Sequence, residues 1–152
     1  MNFIGIDPGK GGAIAVIHED GTIVTSVFSE EAYLQVISGH QNSFAVVEDV
    51  HAMPKQGVTS MFNFGFNKGW IMGMLYAHTI PTELVSPQRW KKMFSLNGEK
   101  QKSIDCARRL FPQANLFVTP RCKNMHDGIA EALLMAEYGR RVYKGTIEYR
   151  NL

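Results

Sequence analysis

The alternation of apolar and polar positions divides the chain into short elements. Asn2 to Asp7 reads as a strand with Phe3, Ile4 and Ile6 apolar, and Ala13 to Ile17 as a second. A glycine-rich turn, Gly9 to Gly12, joins them. Asp20-Gly21 signals a hairpin, and Thr22 to Phe28, rich in β-branched residues, follows as a third strand. Three consecutive strands joined by short turns predict an antiparallel meander. Ser29 is placed to cap a helix through about Ser38, with Glu30 and Glu31 in the first turn, where the helix dipole favours acids. Phe44 to Val50 is a nearly continuous apolar run broken by Glu48 and Asp49. Such a strand, arriving after a helix, is expected to be central and parallel.

A loop containing Met53-Pro54 leads into a predicted long helix, roughly Val58 to His78. Gly65, Gly69, Gly73 and Ala77 recur every four residues as one smooth stripe, and Phe62, Phe66 and Trp70 form another. Asn63, Asn67, Lys68 and His78 argue against a membrane span. The smooth stripe suits close backbone packing, either inside the monomer, the plainer expectation, or across a dimer contact. Thr82 to Ser86 reads as a fifth strand. Ser86-Pro87 has the form of an N-cap followed by proline at the first helical position. A further helix spans about Lys100 to Leu110, and the last runs from about Asn124 to Val142. The succession predicts an α/β fold with a mixed sheet.

Composition adds bounds. The 152 residues suffice for one domain with a sizeable core, residues 1–152. No apolar run is long enough for a bilayer, and Met1 to Asp7 lacks the pattern of a signal peptide. Cys106 and Cys122 have no metal-type spacing, and a secreted disulfide framework is not expected. The expectation is a cytoplasmic protein with no membrane partner. Charge changes the picture more. Residues 1–86 carry three lysines against eight acids, net −5, whereas residues 87–123 carry nine cations against two acids, net +7. A block this basic suggests a polyanionic partner, although a solvated helical face would share its composition.

Some acids stand where acids are costly. Asp7 ends the first strand before Pro8-Gly9, a position that also suits a backbone turn role. Glu48 interrupts the apolar run of the fourth strand. Burying its charge costs several kcal/mol unless it is paired or metal-bound, although a strand end open to water would tolerate it. Asp49 points to the opposite face. In the last helix Asp127 and Glu131 are four residues apart and share a face with Leu134 and Tyr138, while Ile129, Leu133 and Ala136 line the other side. The two acids are expected to point inward, with ordinary surface acids as the alternative. Carboxylates converging from two strands and a helix would form an all-oxygen site for Mg2+. Two such ions about 4 Å apart activate water and stabilise the leaving oxygen of a phosphodiester. The neighbouring basic block would hold a nucleic-acid backbone.

Ile4-Gly5-Ile6-Asp7-Pro8-Gly9, Val46-Val47-Glu48-Asp49-Val50 and His126-Asp127-Gly128-Ile129-Ala130-Glu131-Ala132-Leu133, in that order and spacing, resemble the RuvC family of Holliday junction resolvases. The short bacteriophage versions are the most similar, sharing Met53-Pro54-Lys55-Gln56-Gly57, Ser86-Pro87-Gln88-Arg89-Trp90-Lys91 and Ala136-Glu137-Tyr138-Gly139-Arg140-Arg141. The resemblance implies an RNase H-like fold: a five-stranded mixed sheet, antiparallel meander then parallel strands, flanked by helices. It implies a homodimer that makes paired nicks in a four-way DNA junction with Mg2+ or Mn2+, two ions per site. Asp7, Glu48 and Asp127 then match the family's catalytic acids. The family places a second acid in the last helix region; here Asn124 stands three residues before Asp127, so Glu131 is taken as the fourth ligand. Lys102 stands where related resolvases place a lysine near the scissile phosphate, with ordinary phosphate binding as the alternative. Lys55, Arg89, Lys91, Lys92, Lys100 and Lys102 are the expected DNA contacts. His126 is a candidate for positioning water, although a structural role is commoner. His51 to Gln56 is a loop that would touch the junction. Phe62, Phe64 and Phe66 are candidates for a base-step wedge, with core packing expected for at least two of them. The rival readings are a nuclease of the same fold for flaps or RNA–DNA hybrids, and a DNA-structure binder that does not cut.

Overall fold

The structure, a computed structural model, describes residues 1–9 and 11–150, the last five through their backbone alone. The predicted strands form as β1 (Asn2–Ile6), β2 (Ala13–Ile17), β3 (Ile23–Val27), β4 (Ser43–Glu48) and β5 (Thr82–Val85). They make one sheet in the order β3-β2-β1-β4-β5. β1, β2 and β3 are the antiparallel meander, whereas β4 lies parallel to both β1 and β5. The helices are α1 (Glu30–Gly39), α2 (Val58–Ala77), α3 (Pro87–Met93), α4 (Lys100–Leu110) and α5 (Asp127–Arg150). Ser29 caps α1 by accepting from the Ala32 N–H, and Ser86 caps α3 by accepting from Arg89. Among the described residues no helix is long and apolar enough to cross a membrane.

The two faces of the sheet bury separate cores. Ile4, Ile6, Ile14, Val16, Ala45 and Val47 pack with Tyr33 and Ile37 of α1 and with Ile71 and Leu75 of α2. The alternate positions, Ala13, Ala15, Ile17, Val46 and Val85, pack against α3, α4 and α5. α5 crosses β1 so closely that a Cβ on Gly5 would run into the backbone of Ala132 and Ala136. That contact needs glycine, because no rotamer relieves a backbone clash.

Three sequence expectations change. First, α5 begins at Asp127 and continues to Arg150, not Asn124 to Val142. The start shifts because His126 takes the capping position. Second, both sides of α5 are interior: Ile129, Leu133, Leu134, Ala136 and Tyr138 are all buried. The sheet holds one side, while α3 and α4 cover another. Third, the glycine stripe of α2 does not pack inside the monomer. Gly65, Gly69, Gly73 and Ala77 are exposed, as are Phe62 (72%) and Phe66 (58%). Only the Ile71 and Leu75 side of the helix reaches the core. Phe62 and Phe66 therefore do not serve the core, whereas Trp70 packs against it partly buried and Phe64 is half-buried.

Candidate active site

Asp7 follows β1 and Glu48 ends β4. The parallel register pairs Ile6 with Val47, so the next step sets Asp7 beside Glu48. Both continue the alternate set that faces α5, after Gly5 and Val46. Asp49, one residue further, faces the other way, where Lys68 of α2 holds it at 2.6 Å. Alternation along an extended strand thus separates two adjacent acids.

The start of α5 supplies the remaining acids. His126 Nδ1 accepts from the Ile129 N–H at 3.2 Å, so the ring serves as the helix cap. A Cβ on Gly128 would lie 2.8 Å from the Gly11 carbonyl oxygen, so glycine lets this first turn press against the loop after Asp7. Asp127 occupies that turn, and Glu131 follows one turn later with its side chain only 13% exposed.

The environment works against ionisation of the strand acids. Burial raises the Asp7 carboxyl, and the charges of Glu131 and Asp127 raise it further. The Gly9 N–H, donated to Asp7 Oδ1 at 3.1 Å, and Lys91 oppose that shift. Asp7 therefore also fills the turn role its position suggests. Burial pushes Glu48 up to about 7; the Trp90 N–H, donated to Oε1 at 2.9 Å, pulls it down, and Asp7 and Glu131 push it up again. These mutual effects place the four acids in one electrostatic group.

Two lysines compensate the group. Lys91 Nζ lies 3.2 Å from Glu131 Oε1 and 5.1 Å from the centre of the Trp90 ring, and it is largely buried. The Ser103 hydroxyl donates to the same Glu131 oxygen at 3.3 Å. Lys100 Nζ lies 2.9 Å from Asp127 Oδ2. Burial alone would raise Asp127, but Lys100 outweighs it and holds that carboxyl below its ordinary range. Among the described residues no three acid, histidine or cysteine side chains are gathered closely enough to hold a metal ion as they stand.

The other expected contacts are more scattered. Lys102 bonds the exposed Glu99 at 3.0 Å and does not touch the acids. Lys100, one turn before the buried Ser103 and Ile104, is the α4 lysine that faces α5. Lys91 and Lys92 line an open groove of about 760 Å³ with Gln88, Leu96 and Asn97. Arg89 is exposed near Glu83, at 3.6 Å. Lys55 sits in the exposed loop before α2 with a positive φ of 70°. Trp90 and Ser103 escape the sequence reading. An indole in a basic segment reads as a core anchor, and a lone serine in a helix carries no signal.

An all-oxygen set, crowded and incompletely compensated, is chemically suited to a hard divalent cation. A cation there would favour the ionised forms that burial now disfavours.

No family model matches the chain, and no curated protein matches it. Solved structures do. RuvC from Thermus thermophilus aligns with a TM-score of 0.59 at 17% identity, covering 93% of this chain and 97% of that one. T. thermophilus RuvC in complex with Holliday junction substrate aligns with a TM-score of 0.61, also at 17% identity, covering 93% and 96%. The chain has a RuvC-like fold, and its five-stranded mixed sheet flanked by helices is the RNase H-like architecture.

Proposed function

We propose that the chain is a divalent-metal-dependent endonuclease that hydrolyses DNA phosphodiesters at four-way junctions and related branches. The observation that carries the reading is the juxtaposition of Asp7 and Glu48 beneath Asp127 and Glu131, at a sheet end bordered by Lys91 and Lys100. A likeness in fold to RuvC, one structure of which holds a Holliday junction substrate, supports the choice of substrate.

Asp7, Glu48, Asp127 and Glu131 would hold Mg2+ or Mn2+, two ions per site, supplying an activated water and stabilisation of the leaving oxygen. Glu48 must give up its proton to serve, and the Trp90 N–H assists by favouring the carboxylate. Lys91 and Lys100 neutralise the acids in the resting protein and turn to the phosphate when the substrate arrives. Lys92, Arg89, Lys102 and Lys55 hold more distant phosphates as point charges.

The exposed face of α2 supports a homodimer. Phe62, Phe66 and Tyr76 stand exposed beside the glycine stripe. A second copy packed there would bring two sites to one junction, as paired nicks require.

The test is a synthetic four-way junction incubated with Mg2+. Nicks that vanish with chelator and fall roughly a thousandfold in Asp7→Asn are the expected result. Faster cutting of a flap or an RNA–DNA hybrid would move the substrate assignment within the same fold. Tight junction binding without nicks at any Mg2+ or Mn2+ concentration would replace the enzyme with a binding protein.

A further inference from the structure

At the sheet end opposite the acids, His18 and His40 meet across 22 residues of sequence, with their Nε2 atoms 2.8 Å apart. Acceptors fix the other ring nitrogens. His40 Nδ1 lies 2.6 Å from the Val36 carbonyl oxygen and so donates. His18 Nδ1 lies 3.1 Å from the Thr22 carbonyl oxygen and 2.9 Å from the Thr22 hydroxyl. That hydroxyl gives its single proton to Asp20 at 2.7 Å, so it accepts from His18. Both Nδ1 atoms therefore carry hydrogen, and both Nε2 lone pairs are directed at one another. Bare lone pairs at this separation repel, so either a shared proton or a metal cation belongs between them. Anchoring the far nitrogen on a backbone carbonyl is how metal-ligating histidines are oriented.

We infer that His18 and His40 form a two-histidine site for a transition cation of the Zn2+, Ni2+ or Co2+ class, clamping the end of β2 to the end of α1. Imidazole suits these metals, whereas Mg2+ prefers oxygen, so this site is chemically distinct from the acids. Zinc–nitrogen bonds of roughly 2.0–2.1 Å need the rings to part only slightly. Asp20 lies close enough to His18 for charge attraction and adds negative potential. The described residues gather no third metal-type side chain, so water would have to complete the coordination.

The test is titration of the full chain with Zn2+ under excess Mg2+, read by 15N NMR of the histidine side chains. The expected outcome is one Zn2+ per chain, with coordination shifts at Nε2 of His18 and His40. His18→Ala and His40→Gln should each weaken binding at least about tenfold. His40→Gln keeps a polar group at the helix end, so it remains informative should His18→Ala fail to fold. Nε2 signals indifferent to Zn2+, or binding that survives both substitutions, would overturn the site and leave a shared proton alone between the rings.

Discussion

Two helices cover opposite faces of one sheet and are used in opposite ways. α5 is buried on nearly every side from Gly128 to Gly139, pressed onto β1 at Gly5 and roofed by α3 and α4. α2 buries only Ile71 and Leu75 fully and leaves Phe62, Phe66 and three glycines exposed. The difference reaches the acids at the end of β4. Glu48, on the α5 side, is 7% exposed and raised to about 7. Asp49, on the α2 side, meets Lys68 and is held below its ordinary range. Dense packing and unfavourable charge thus concentrate where chemistry is proposed, while the opposite face keeps an exposed aromatic and glycine surface. Glu48 is held where its charge is unfavourable because the packing around it keeps the carboxyl out of water.

The largest effect should come from removing charge on the α5 side. Asp7→Asn is expected to lower junction nicking by roughly a thousandfold, about 4 kcal/mol, while the fold survives, because its Oδ1 acceptor remains for the Gly9 N–H. Circular dichroism beside the kinetic assay separates the two. Next, Gly5→Val should destabilise the chain by about 3 kcal/mol or prevent folding, since its side chain would meet the Ala132 carbonyl and the Ala136 amide. A thermal melt within a few degrees of wild type would show that α5 is not seated as described.

A third prediction uses pH to separate the faces. Glu48 binds its proton more tightly in the folded chain, raised from 4.5 to about 7. Protonation therefore favours folding, and the metal-free protein should lose stability as pH rises from about 4.5 to about 7. The loss attributable to Glu48 is at most about 3 kcal/mol. Glu48→Gln should flatten that part of the melting profile, and Mg2+ should restore wild-type stability above pH 7. Asp49 has the opposite shift, and its pairing with Lys68, only half-buried, makes Asp49→Asn a change of about 1 kcal/mol. Smallest for the monomer, Gly69→Glu should leave the melt nearly unchanged yet shift light scattering from dimer to monomer at micromolar concentration. A variant that stays dimeric would remove α2 as the interface.

Much of this was legible because the sheet obeys simple alternation. Ala13–Ile17 and Lys100–Leu110 fall where periodicity predicts them. Glu48 stood out because an acid within an apolar strand demands a reason, and Asp49 could be assigned to the other face by parity. The ends of α5 were not legible. The predicted start at about Asn124 fails because the chain folds back so that the His126 N–H reaches the Leu116 carbonyl, and His126 caps the helix. Lys102 illustrates a different limit. Resemblance selects it by sequence position, whereas the rotation of α4, set by buried Ser103, Ile104 and Ala107, turns Lys100 toward Asp127. Counting back one turn from that buried face would have found it. The exposure of the α2 stripe depended on which side of the helix met the sheet, and small residues on both sides of that choice look alike in sequence.

The central claim is that the four acids form one cation-binding group. Crystals soaked in Mn2+ and measured at the manganese absorption edge test it directly. Anomalous peaks among Asp7, Glu48, Asp127 and Glu131, with Lys91 and Lys100 turned away from their acids, are the predicted result. Peaks elsewhere, or both lysines still on Glu131 and Asp127 at saturating Mn2+, would contradict it.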